Sequence, residues 1–157
     1  MMMMMMMMIM IMNAHSTPQA VIHQLQAEMN YEPENEQEEL LKNGINSIIR
    51  QLGEEHPENA KFLPKLANVE INELLFTACR RGATVSAWWL WKEGGSFSRI
   101  CSDGMTPLHA AMKEEHFQTA EAVVLHMGGN MFLPDGTDHL LVDRFPPEMK
   151  DKLLKVC

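Results

Sequence analysis

The side chains with chemistry to offer in this 157-residue chain fall in a few short runs. The cysteines Cys79, Cys101 and Cys157 are odd in number and lack the CxxC spacing of a zinc or redox site. They read as reduced thiols of the cytosol or nucleus, outside any disulfide framework. No histidine lies at a sequence distance from Cys79 or Cys101 that spacing alone makes a base. His116 and His126 stand ten residues apart, too far for a single helical turn to bring both onto a metal ion. A GxSxG nucleophile elbow, a GxxxxGK[ST] phosphate loop and an HExxH zinc helix are all missing. These residues therefore predict no enzyme, no cofactor and no metal.

Contact chemistry is better supplied. Trp88, Trp89 and Trp91 crowd into "WWLW". Neighbours on a helix point about 100° apart, so the three rings cannot share one core pocket, and Trp88 and Trp91 become candidate anchors for a partner. The competing expectation packs all three against an N-terminal helix. "CRRG" and "MKEEH" are short charged runs that hold Arg80, Arg81, Lys113 and Glu114.

Charge narrows the partner. The chain carries a net −8, with 10 acidic against 4 basic side chains in residues 1–70 and 11 against 9 in residues 71–157. An acidic chain without a Lys/Arg block repels phosphate backbones, so nucleic acid is not an expected ligand. Half of the 16 methionines form the opening octet, extended by "IMIM". That apolar run is shorter than the ~20 residues a bilayer span needs, and no basic residue precedes it as in an export signal. Residues 1–33 read as a disordered, Met-rich leader and linker, and no membrane contact is expected.

The positioning elements follow. "AVIHQLQAEMNY" permits a short helix with Val21, Leu25 and Met29 at spacing four. Asn35 is placed to cap a helix whose first turn holds Glu36, Glu38 and Glu39. Leu40, Leu41, Ile45, Ile48, Ile49 and Leu52 give that helix an apolar face, and Gly53 suits its end. A connector with Pro57 and Pro64 and one short helical piece completes a second segment, residues 34–71. From Asn72 the chain repeats itself. Leu75 matches Leu108, Ala78 matches Ala111, and Gly94-Gly95 matches Gly128-Gly129, at offsets of 33 or 34. Asp135-Gly136 opens a degraded third copy, which ends in a helix from Pro147 with Met149, Leu153 and Val156 (or Leu154) facing the stack. A period of that size is the mark of a repeat architecture.

"DGMTPLHAA", Asp103 to Ala111, resembles the ankyrin-repeat consensus, and the resemblance covers about residues 72–157. It implies an all-α chain: a short solenoid of 2.5 to 3 helix-turn-helix units with hairpin loops. Gly104 takes the hairpin's positive φ, Thr106 caps the helix and shares a hydrogen bond with His109, and Pro107 sits at the first helical position. Leu108 enters the core, Ala110 and Ala111 let helices approach, and Gly128 ends the second helix, predicted over 117–127 with Ala120, Val123 and Val124 inside. "EINELLF" lacks the Thr-Pro-Leu-His cap, so the first copy reads as a terminal one. The resemblance also implies a non-catalytic, monomeric protein-binding module whose first-helix ends and hairpin tips border the binding surface, which makes Arg80, Arg81, Lys113 and Glu114 candidate contact residues. Its rivals are a truncated product of a larger ankyrin-bearing enzyme or signalling protein, and an inhibitor that presents the acidic segment Glu32–Glu39 to a basic partner.

Overall fold

The computed structural model describes residues 18–53, 68–101, 104–134 and 140–156. Within them the chain forms seven α-helices and a 3-10 helix, with no strand. These are α1 (Pro18–Glu28), α2 (Glu36–Gly53), α3 (Asn68–Arg81), α4 (Thr84–Lys92), α5 (Pro107–Lys113), α6 (Phe117–His126), the 3-10 turn Leu141–Arg144, and α7 (Pro147–Val156). The chain is all-α.

Local chemistry sets several of these boundaries. Asn35 caps α2 as its position predicts: its Oδ1 accepts the Glu38 N–H at 2.9 Å. Glu38 reciprocates from inside the helix, its Oε1 accepting the Glu34 N–H at 3.0 Å. Two otherwise orphaned donors are thereby satisfied. At α5, Thr106 accepts the His109 N–H while His109 Nδ1 accepts the Thr106 N–H at 3.3 Å, with Pro107 at the first helical position. His109 Nε2 lies 2.7 Å from the Pro134 carbonyl and donates to it, which makes Nδ1 the accepting nitrogen for Thr106. One imidazole thus ties the start of α5 to the loop that follows α6.

The α3–α4 and α5–α6 turns have the same backbone, offset by 33 residues. Gly82 N–H bonds Cys79 O and Ala83 N–H bonds Ala78 O; Glu115 N–H bonds Met112 O and His116 N–H bonds Ala111 O. Both turns pass through positive φ, +73° at Gly82 and +59° at Glu115. Glycine is favoured at the first of them, where a Cβ on Gly82 would meet the His116 ring at 2.7 Å unless that ring moved. Burial repeats with the same period. Leu75, Leu108 and Leu141 are at most 2% exposed, and so are Ala87, Ala120 and Leu153.

The helices form two rows. α2, α3, α5 and the 3-10 turn pack side by side in one. In the other, α1 lies on α4 and α6 on α7, while Thr84 Oγ1 bonds Thr119 Oγ1 at 2.7 Å between α4 and α6. The core runs continuously between the rows. Fully burying each large aliphatic side chain contributes about 1.5–3 kcal/mol. The ladder of leucines therefore outweighs any single polar contact in the stack.

Several expectations are corrected. Within the stretch 1–33 read as leader and linker, residues 18–28 form α1, the short helix that the spacing of Val21, Leu25 and Met29 permits, and those side chains are buried against α2 and α4. Leu40 stands 52% exposed beside the buried stripe of Leu41, Ile45 and Ile48, because it lies about 100° from Leu41 on the helix. α3 starts at Asn68, four residues before the expected repeat boundary. With no Thr-Pro there to start a helix, the helix runs through Asn72, whose buried amide clamps the loop after α4. Asn72 Nδ2 donates to Ser96 O, and its Oδ1 accepts the Ser96 N–H. Leu154 faces outward and Leu153 inward on α7. The connector from 54 to 67 and the side chains of Leu52 and Val156 lie outside the described residues.

Replacing Thr106 with Ala removes the α5 cap and is expected to cost about 1 kcal/mol, whereas Leu108→Ala, at the centre of the ladder, costs about 2–5 kcal/mol. Urea midpoints of the two variants check this, and equal losses contradict the ladder's dominance.

Candidate functional site

The ends of α3 and α5 occupy the same register, with Arg80 at the position of Lys113 and Arg81 at that of Glu114. Their surroundings differ. Arg80 and Arg81 form the last turn of α3, where cations favour the helix's negative pole. The N-terminal hairpin covers them. Glu38, buried in the first half of α2, places Oε2 3.2 Å from Arg81 Nη1 and 4.0 Å from Arg80 Nη2. The Arg81 guanidinium lies 3.6 Å from the Tyr31 ring centroid, within cation–π range. Tyr31 donates its hydroxyl proton to Glu38 O at 2.6 Å and accepts from Lys42 Nζ at its own carbonyl, 2.7 Å away. Arg81 is therefore engaged inside the chain, while Arg80 Nη2 makes no hydrogen bond and reaches Glu38 only at 4.0 Å; both arginines are partly covered by the hairpin and not fully open to a partner.

α1 is fixed to α4 by a second polar contact. Glu28, the last residue of α1, accepts the Val85 N–H at 2.9 Å, the Ser86 N–H at 2.8 Å and the Ser86 hydroxyl at 2.7 Å. Its carboxylate so occupies the positive end of α4, which has no side-chain cap of its own. Burial pushes the Glu28 carboxyl above its ordinary range, against the opposing pull of the hydrogen bonds from Ser86, Val85 and Gln24.

The tryptophans divide. Trp88 is buried, edge-on to Trp89 at 5.1 Å, and its indole nitrogen has no hydrogen-bond partner. As a partner anchor it is a correction, since its ring is enclosed by the chain's own core. Trp89 and Trp91 pack on the same core and remain half-exposed. Burial pushes the Cys79 thiol far up and raises that of Cys101 as well, so neither is primed as a nucleophile. Among the described residues, no three His, Cys, Asp or Glu side chains gather as a metal cage, and no helix is long and apolar enough to cross a membrane.

Lys113 and Glu114 remain exposed, as does the turn that follows them. Beside them the last member of the inner row is a four-residue 3-10 turn, where α5 has seven residues and α3 fourteen. The shortened element leaves the seam only partly filled. A cavity of about 310 Å³ opens there, lined by Met105, His109, Met112, Lys113, Glu115, Phe117, Leu141 and Arg144. A second, of about 360 Å³, lies on the other side of Glu115 and Phe117, toward His116, Pro146 and Met149. The loops after α4 and α6 carry three exposed apolar side chains, Ile100, Phe132 and Leu140. Sequence reading missed Met105, Phe117 and Arg144 as groove walls because the groove arises from a helix that is too short, and no residue pattern marks a missing turn. It missed the Glu38–Arg81 pair because 43 residues separate the partners.

Arg81→Ala leaves Glu38 buried without its closest cation and is expected to cost about 2–3 kcal/mol, while Lys113→Ala and Glu114→Ala stay within about 0.5 kcal/mol. Denaturation midpoints test the contrast, and equal effects at the two ends refute it. Glu28 predicts a pH dependence. The folded state holds the Glu28 proton more tightly than the unfolded chain, so the linked stability is complete below about pH 4.3 and is lost as pH rises through the raised value. The stability advantage of wild type over Glu28→Gln should shrink as pH rises above about 4.3, and a gap that widens instead contradicts the assignment.

Comparison with known protein families, with curated proteins and with solved structures finds no match for this chain.

Proposed function

We propose that residues 72–157 form a short ankyrin-type stack and that the protein is a non-catalytic protein-binding module. The observation that carries this reading is the Thr106–His109 capping box, with its bond from His109 Nε2 to Pro134 of the following loop. It puts a Thr-Pro-Leu-His start on a 33-residue unit and joins that unit to the next. The equal burial of Leu75, Leu108 and Leu141 supports the same period. Such a stack binds through pre-organised shape, with little ordering entropy to lose on association. The partner is another protein. A net charge of −8 disfavours nucleic acid. The odd number of cysteines, with Cys79 and Cys101 free, fits a reducing compartment, the cytosol or nucleus. No cofactor enters this reading, and the module acts as a monomer.

The binding surface lies along the loops after α4 and α6 and the exposed end of α5. Ile100 and Phe132, 70% and 48% exposed, are its apolar contacts. Quantitative capture from cell lysate tests this surface, comparing wild type, the double variant Ile100→Asp/Phe132→Asp, and Lys155→Glu on the exposed side of α7. Proteins retained by wild type and by Lys155→Glu should fall at least about tenfold with the double variant. Recovery of the same set by all three refutes the surface.

A further inference from the structure

α1 brings the start of the chain to one edge of the stack. Its last residue, Glu28, is held at the first turn of α4 by Val85 and Ser86. From there α1 packs back along α4 and α2, with Val21 and Leu25 buried against them. Pro18 therefore lies toward the far end of α4, the edge from which the loops after α4 and α6 depart. Three of the five exposed large hydrophobic side chains among the described residues, Ile100, Phe132 and Leu140, belong to those loops. The other two, Leu40 and Leu154, stand singly on α2 and α7.

The segment that enters at this edge is apolar too. Residues 1–12 are ten Met and two Ile, and residues 13–17 join them to α1, with no Asp, Glu, Lys or Arg in the whole stretch. An extended chain covers ~3.4 Å per residue, so the five joining residues cross about 17 Å, nearly two helix spacings. The Met-rich run is thus within reach of the first loop, and its own length carries it to the second. Methionine is unbranched and adapts to an irregular apolar surface.

We propose that residues 1–12 dock on this edge of their own chain, over Ile100, Phe132 and Leu140, and compete there with the protein partner. This rests on the binding surface proposed above and adds its regulation. Tethering gives the segment an effective concentration of the order of mM, so a contact too weak between separate molecules is populated within one. A partner then binds only the fraction of chains whose edge is open, and its apparent affinity falls by that fraction.

Photocrosslinking in the full chain tests this, with Phe132→p-benzoylphenylalanine at the edge and Lys155→p-benzoylphenylalanine on α7 as control. Equal amounts of isotopically light and heavy chains are mixed before irradiation. Position 132 should link to residues 1–12 within one chain, position 155 should not, and Ile9→Asp/Ile11→Asp should abolish the link, with circular dichroism showing that the helices are retained. No link to residues 1–12, equal links from position 155, or links only between light and heavy chains overturn the docking. In the lysate capture, Ile9→Asp/Ile11→Asp should retain at least about threefold more of the proteins lost with Ile100→Asp/Phe132→Asp. Unchanged recovery overturns the competition. A link within one chain together with an empty capture supports the docked segment and overturns the protein-binding reading.

Discussion

Each helix pair in this chain has an apolar side that only the next pair can cover. Leu75, Leu108 and Leu141 are buried because their units abut, and the same holds for Ala87, Ala120 and Leu153. No pair on its own offers enough buried area to offset the entropy of ordering its residues. The turns and caps are secondary to that constraint. The capping box at Thr106 and the glycine at Gly82 fix where each helix starts and how closely the turns approach, and so keep the leucines in step.

The same constraint explains why the ends look as they do. A stack must finish on something other than another open face. At the N-terminal side the cover is the α1–α2 hairpin, which brings Leu25, Leu41, Ile45 and Ile48 as well as two carboxylates. Glu28 meets the start of α4 and Glu38 meets the end of α3. At the other side the cover is thinner, a single 3-10 turn and α7, held by Leu153 and by the Lys152–Glu121 and Lys150–Asp143 pairs. The open seam is the outcome of that thin cover, and it is the place where the stack is least complete.

What the sequence disclosed was local or periodic. Asn35, Thr106 and Pro107 act on neighbours within three residues, and their roles were legible from types and spacing. The 33-residue echo was legible too, because burial of the same positions demands the same residues. Contacts between distant segments left no trace of that kind. Glu28 and Ser86 are 58 residues apart, and Glu38 was read only as a first-turn charge of α2. Arg80 and Arg81 looked like surface residues for the same reason, since nothing in "CRRG" reports that a carboxylate and a tyrosine ring arrive from the N-terminal hairpin. Trp88 and Trp91 were ambiguous by nature: a helix shows which faces its side chains take, but the neighbour decides which face is covered.

The direction of the N-terminal hairpin carries a consequence of its own. In α3–α4 and α5–α6 the chain passes from the inner row to the outer, whereas α1 lies in the outer row and α2 in the inner. The hairpin is thus turned over relative to the units it covers, and it offers no template on which another unit of the same hand could grow. A unit added in the same orientation as α3–α4 and α5–α6 would find its matching face at the seam, not at the inverted pair.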